Sequence, residues 1–205
     1  MGRFGPDPRA FFDAVYDGTP PWDVGGPQPA LAELLAEYPP MGRVLDVGCG
    51  SGDLAIALAE GGQAVLGVDF VEAAIAHARE KAARLEPEVA RRLEFRVADA
   101  LRPSGLAQEF GAVVDSGFLH LFDSGDRDRF VDDLATTLPP GGRYYLLAFA
   151  VTFPIPNAPG EVGIDEVHER FTAGRGWRVL ACRPAEFLSS VAPPVPATLA
   201  CIERR

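Results

Sequence analysis

The run Val44-Leu45-Asp46-Val47-Gly48-Cys49-Gly50-Ser51-Gly52-Asp53 leaves this chain few ways to fold locally. A short apolar segment breaks into three glycines spaced by two, and a helical pattern over 52–60 follows at once. That order predicts a buried strand, a tight turn and a helix. Glycine lets a ligand lie directly on the turn, because it has no Cβ and tolerates positive φ. The first N–H groups of the helix point at the same place. The local sequence therefore predicts a cofactor cradle.

The rest of the chain supplies the sheet around it. Strand patterns fall at 43–47, 64–68, 93–97, 111–115, 142–149, 177–182 and 197–203, with helical patterns at 52–60, 71–85, 125–137 and 164–173. Such alternation predicts an α/β fold, a mostly parallel sheet with helices on both faces. The connection over 183–196 has no helical period, so a hairpin-like return is expected to leave the final strand antiparallel, at an edge. With 205 residues the chain suits one domain, 1–205, rather than two. Residues 1–40 differ from the core over 41–205. They gather Phe4, Phe11, Phe12, Tyr16, Trp22 and Tyr38 among prolines and glycines, with short helices expected near 8–16 and 29–37.

Charge and cysteine content narrow the partners. The net charge of −10 disfavours nucleic acid and anionic membrane surfaces. No apolar window approaches the length of a membrane span. Cys49, Cys182 and Cys201 are scattered, which fits a reducing cytoplasm better than a disulfide scaffold. No spacing of histidines or cysteines suggests zinc, and no metal is expected. Only one lysine, Lys81, stands among the 19 basic residues. The sequence leaves the oligomeric state open.

The ends of the predicted strands carry the chemistry, where ligands bind in such sheets. The dinucleotide fingerprint is Gly-x-Gly-x-x-Gly, but here Asp53 takes the place of the third glycine. A carboxylate there is a poor neighbour for a pyrophosphate. Asp46 likewise suits an ammonium group better than a phosphate. Asp69 ends the second strand, where a carboxylate accepts both hydroxyls of a ribose; taken alone it reads equally well as the cap of the next helix. Phe70 follows and offers a face to a flat base. Asp99, just past the third strand, offers an acceptor to an exocyclic amine, although a lone loop aspartate is more often simply solvated.

Five elements now stand in order: Asp46-Val47-Gly48-Cys49-Gly50-Ser51-Gly52, Asp69, Asp99, Val113-Val114-Asp115-Ser116, and Pro139-Pro140-Gly141-Gly142 before a strand. In this register the chain resembles the class I methyltransferases that use S-adenosyl-L-methionine. The resemblance implies a Rossmann-like, doubly wound, seven-stranded sheet with an antiparallel last strand. It implies a cofactor site of Asp46, Gly48, Cys49, Gly50, Gly52, Asp69, Phe70, Asp99, Ala100, Asp115 and Ser116. The fourth strand end lacks the Asn/Asp-Pro-Pro-Tyr/Phe motif of enzymes that methylate DNA bases.

The segment Pro20-Pro21-Trp22-Asp23-Val24-Gly25 is similar to the Pro-Trp-Asp-x-Gly lid of thiopurine, thiol and halide methyltransferases and of bacterial enzymes acting on small heterocycles. The similarity implies that Trp22 packs beside the cofactor, as against the plain alternative of a core anchor. Where relatives commonly carry an arginine after the glycine, this chain has Gly26.

The acceptor is expected between residues 1–28, Phe118 and the loop 151–163, which holds Phe153, Pro154, Ile155 and Pro156. Tyr16 and Asp23 are expected to touch it from the lid. His120 is the candidate general base, because an imidazole titrates near neutral pH; the competing reading is a packed histidine with one satisfied nitrogen. His77 and His168 read as solvated. The expected activity is methyl transfer to N, O or S of a small, partly apolar, aromatic or heterocyclic molecule. Thiol or halide methylation is the alternative. A nicotinamide oxidoreductase is disfavoured by Asp53, and a silent cofactor-binding module by the retained aspartates.

Overall fold

The computed structural model describes residues 8–154 and 158–205; Phe4, Ile155 and Pro156 lie outside them. Seven strands form one sheet in the order β3-β2-β1-β4-β5-β7-β6. They are β1 Val44–Val47, β2 Val65–Asp69, β3 Leu93–Val97, β4 Ala112–Ser116, β5 Arg143–Phe149, β6 Trp177–Phe187 and β7 Val195–Arg204. The first five are mutually parallel, and β7 is antiparallel to both of its neighbours. The strand order reverses between β1 and β4, so their C-terminal ends open a crevice there.

Every residue of β1 and β2 is buried, as expected of parallel strands covered on both faces. Successive side chains serve opposite layers. Leu45, Val47, Val113 and Leu146 meet Phe130, Val131 and Leu134 of α6 (Ser124–Thr137) on one face. Val44, Val114 and Leu147 meet the other face, built by α2 (Pro29–Glu37), α3 (Asp53–Glu60) and α4 (Glu72–Ala82). Asp46 alternates with Leu45 and Val47, so it points toward the α3 side.

Local signals explain the helix limits. Pro29 starts α2 at a position that needs no N–H, and Pro39-Pro40 follows its end. The Asp123 side chain accepts the Asp126 N–H at 2.9 Å and caps α6. The remaining helices are α1 Pro8–Tyr16, the one-turn α5 Pro87–Ala90, which the sequence reading missed, and α7 Ile164–Arg170. No helix among the described residues is long and apolar enough to cross a membrane.

The strand pattern is the expected one, with a correction at its end. The last strand is antiparallel, but it is not an edge. It lies between β5 and β6, paired over Arg143–Phe149 on one side and Trp177–Phe187 on the other. β6 takes the edge instead. Both β6 and β7 run longer than the sequence suggested, leaving only 188–194 as the hairpin loop.

Candidate active site

A cavity of about 950 Å³ opens at the C-terminal ends of β1, β2 and β4. Its floor is the glycine loop. Gly48 (φ +64°) and Gly50 (φ +53°) hold the left-handed conformation that other residues adopt at a cost. A Cβ on Gly48 would lie 2.7 Å from Phe118, and one on Gly50 2.6 Å from the Tyr16 hydroxyl. The loop is therefore glycine both for its turn and for what lies against it. Gly52 differs: its missing Cβ makes room for Phe95 and Ala78 in the core, and it is not part of the cavity wall.

Two carboxylates dominate the floor. Asp46 is 2% exposed, and its Oδ2 has no hydrogen-bond partner among the described residues. Burial, with Asp115 and Asp69 nearby, pushes its carboxyl well above the ordinary range. A buried carboxylate oxygen with nothing to bind is costly, and a cationic ligand group would satisfy it. Asp69 is better supplied. Its Oδ2 accepts the Gly50 N–H at 3.0 Å and its Oδ1 the Val71 N–H at 2.9 Å. Burial still raises its carboxyl. Each oxygen retains a second lone pair, so the turn-closing role and a pair of hydroxyl ligands are compatible. Phe70, Val71, Ala100 and Leu101 continue the wall from there as an apolar slot.

The expected residues divide between wall and support. Trp22, Asp46, Gly48, Cys49, Gly50, Asp69, Phe70, Ala100, Ser116, Phe118, His120, Tyr16, Asp23 and Phe153 all line the cavity. Asp115 and Asp99 do not. Asp115 is fully buried, and its carboxylate accepts the N–H groups of Phe118 (2.7 Å) and Leu119 (3.0 Å) and the Tyr144 hydroxyl (2.7 Å). It anchors the turn that carries Phe118 and His120. Burial lifts its carboxyl to about 6 against the pull of those donors. Asp99 is exposed and accepts the Leu101 N–H at 3.0 Å, closing the turn whose next two residues reach the wall.

Two lid residues sit differently from expectation. The Tyr16 hydroxyl lies over Gly50, so Tyr16 belongs to the glycine loop rather than to the acceptor end. Burial and the Asp69 charge push its phenol upward, so it stays a neutral donor. Asp23 turns its carboxylate to the Ser51 hydroxyl (3.2 Å) and the Gly25 N–H (3.1 Å). Cys49 is half-buried on the cavity wall, and burial pushes its thiol well above the usual range, which suits fit rather than nucleophilicity.

His120 is 3% exposed and stacks on Phe149 at 4.2 Å. Its Nδ1 accepts the Phe149 N–H at 3.1 Å. That bond assigns the neutral ring as the Nε2–H tautomer, a donor. The Nδ1 lone pair that a general base would use is thus occupied by the Phe149 N–H. Accordingly, His120→Ala should lower turnover while leaving the shape of its pH profile unchanged. Loss of an acid limb near neutral pH in that variant would restore the base.

Sequence reasoning missed three supports. Arg127, 5% exposed, ties the His120 turn to the acceptor loop by donating to the carbonyls of Leu119 and Glu161 and to the Glu166 carboxylate. Gln28 fastens the lid to the β6–β7 hairpin, donating to the Leu188 carbonyl at 3.0 Å and accepting its N–H at 2.7 Å. Phe187 from β6 lines the cavity. All three act across long sequence separations, with no local spacing to announce them.

Known proteins share this arrangement. Residues 44–142 match the family model described as a methyltransferase domain. A 2-heptyl-1-hydroxyquinolin-4(1H)-one methyltransferase of Mycobacteroides abscessus is 31% identical over 188 residues, spanning 87% of this chain and 81% of that protein. A probable thiol methyltransferase of Arabidopsis thaliana is 30% identical over 165 residues, 80% of this chain and 71% of that one. A structure solved in work on conversion of a disulfide bond into a thioacetal group during echinomycin biosynthesis superposes with a TM-score of 0.79 at 30% identity, covering 97% of this chain and 92% of that one. With the strand order, the glycine floor and these relatives together, the chain belongs to the class I S-adenosylmethionine-dependent methyltransferases.

Proposed function

We propose that this methyltransferase acts on a planar, uncharged aromatic or heteroaromatic small molecule at N, O or S. The observation that carries the reading is the make-up of the wall. Among the described lining residues seven are acidic, Asp23, Asp46, Asp53, Asp69, Asp123, Asp126 and Glu161, and none is arginine or lysine; Lys81 and Arg129 pair Asp23, Asp53 and Asp126 from outside the wall, and an acidic excess remains. An anion about 6 Å from one carboxylate meets roughly 3 kcal/mol of repulsion at an effective dielectric of 20. Thiocyanate, iodide and bisulfide are therefore poorly served. Phe118, Phe122, Phe149, Phe153 and Phe187 line the acceptor end instead, and aromatic walls favour flat apolar ligands.

In this reading Asp46 holds the cofactor's ammonium group and Asp69 its ribose hydroxyls, with Phe70 and Ala100 flanking the base. Tyr16 and Trp22 close over the glycine loop. The bound cofactor supplies an electrophilic methyl group. The chain's own part is to orient the acceptor and exclude water. His120 contributes an oriented donor. Cys49, Cys182 and Cys201 are all free, which supports a reducing, cytoplasmic setting.

Turnover across hydroxyquinolones, phenols, thiopurines and ring nitrogens, compared with iodide, thiocyanate and bisulfide, tests the reading. A neutral ring should exceed every inorganic anion in kcat/KM by at least about tenfold, the ratio set by half the repulsion above. A best substrate among the anions would overturn it. Gly26→Arg is a second arm. A Cβ at Gly26 meets nothing within 4 Å, so the arginine has room, and it should raise anion turnover relative to ring turnover.

A further inference from the structure

The chain's one lysine lies beneath the lid. Lys81, on α4, donates to both Asp53 oxygens at 2.7 and 2.8 Å and to the Ser51 hydroxyl at 2.9 Å. Ser51 Oγ lies 3.2 Å from Asp23 Oδ2 and 3.2 Å from Asp53 Oδ2. A hydroxyl has one proton to give. Asp53 is already supplied by Lys81 on both oxygens, so the Ser51 proton goes to Asp23. Lys81 Nζ itself stands 3.7 Å from Asp23. The result is a relay from Lys81 through Ser51 to Asp23, with one cation facing two carboxylates.

We propose that Lys81 is a positioning residue that holds the Trp22 segment closed over the glycine loop. On its other side the segment is already fixed: Gln28 clasps Leu188, and the Ser190 N–H reaches the Pro21 carbonyl at 2.8 Å. Over the glycine loop, Asp23 is the charged side chain of the lid that meets the loop's own polar groups. Without a cation, Asp23 and Asp53 would repel across the single Ser51 hydroxyl. With Lys81 in place, the closed lid neutralises both. This also accounts for Asp53, the residue standing where a dinucleotide site has its third glycine. Its carboxylate serves the lysine.

Lys81 touches neither cofactor nor acceptor in this account; it acts through Ser51 and Asp23, and the proposal rests on the cofactor site described above. Trp22 gives a direct readout. It is 37% exposed, whereas the chain's other tryptophan, Trp177, is 1% exposed. Acrylamide quenching therefore reports Trp22.

The experiment measures acrylamide quenching and the dissociation constant of S-adenosylhomocysteine for wild type, Lys81→Met, Lys81→Arg, Asp23→Asn and the Lys81→Met/Asp23→Asn double variant. Lys81→Met should increase Trp22 quenching and weaken S-adenosylhomocysteine about fivefold, the effect of a partly exposed ion pair. Lys81→Arg should restore most of both. The double variant should be no worse than Lys81→Met, because the two residues form one relay. If Lys81→Met lowers thermal stability but leaves quenching and affinity at wild-type values, the lysine merely tethers α4 to α3 and the proposal fails. If wild type does not bind S-adenosylhomocysteine, the cofactor site itself is wrong, a separate outcome.

Discussion

Asp46→Asn should weaken S-adenosylhomocysteine binding by about 30- to 100-fold, the loss of a hydrogen-bonded charge at roughly 2–3 kcal/mol, while the unliganded protein becomes no less stable. The two effects have one cause. Asp46 is buried with an unpartnered oxygen beside two further carboxylates. Its folded pKa is raised, so its contribution to stability is full below the unfolded value of about 4 and is lost as pH rises through the raised one. Above that window the fold is therefore weakened by the Asp46 charge unless a cation binds it. Asparagine keeps the shape and removes the penalty, but it removes the ammonium partner too. Thermal unfolding at pH 8, with and without ligand, checks both halves. A variant that loses stability without losing affinity would make Asp46 an ordinary structural residue.

Asp115→Ala should do the opposite, damaging the fold first. Alanine leaves the Phe118 and Leu119 N–H groups and the Tyr144 hydroxyl without their acceptor. Buried donors left unpaired cost about 1–3 kcal/mol each. Part is regained by removing a buried carboxylate lifted to about 6, so a net loss of about 3 kcal/mol is expected at pH 5. In a chain of this size that lowers Tm by roughly 6–12 °C. The loss should shrink by pH 8. Ionising Asp115 within the fold already weakens the wild type as pH rises from about 4 through about 6. Turnover should fall as well, because the same turn carries Phe118 and His120. Unfolding curves at the two pH values check the sign; an equal or larger loss at pH 8 would mean that the Asp115 charge is not the strained form.

The two aspartates show what the sequence could and could not express. Both end strands at the switch point, and both read as ligand residues by position. Strand periodicity located them but did not say what each would meet. Tyr144, Phe118 and Leu119 consume the acceptors of Asp115, whereas nothing described consumes Asp46 Oδ2. The fold was legible because parallel strands covered on both faces announce themselves as apolar runs, and the glycine spacing fixed where the first crossover begins. The position of β7 between β5 and β6 was less so, since the 183–196 pattern specifies an antiparallel return but no neighbour. His120 illustrates a finer limit: its place near the acceptor was legible, but its tautomer depends on the Phe149 N–H, supplied by another strand. Lys81 was conspicuous as a lone lysine, yet its meaning required the lid, the glycine loop and α4 to meet in space.

Calorimetric titration of the wild-type protein with S-adenosylhomocysteine over a series of pH values tests the role of Asp46 as the cofactor's anionic anchor most directly. Asp46 must shed its proton to receive the ammonium group, so binding should tighten as pH rises through the raised carboxyl, and Asp46→Asn should flatten that rise. Affinity that is absent, or that varies with pH identically in wild type and Asp46→Asn, would contradict that assignment.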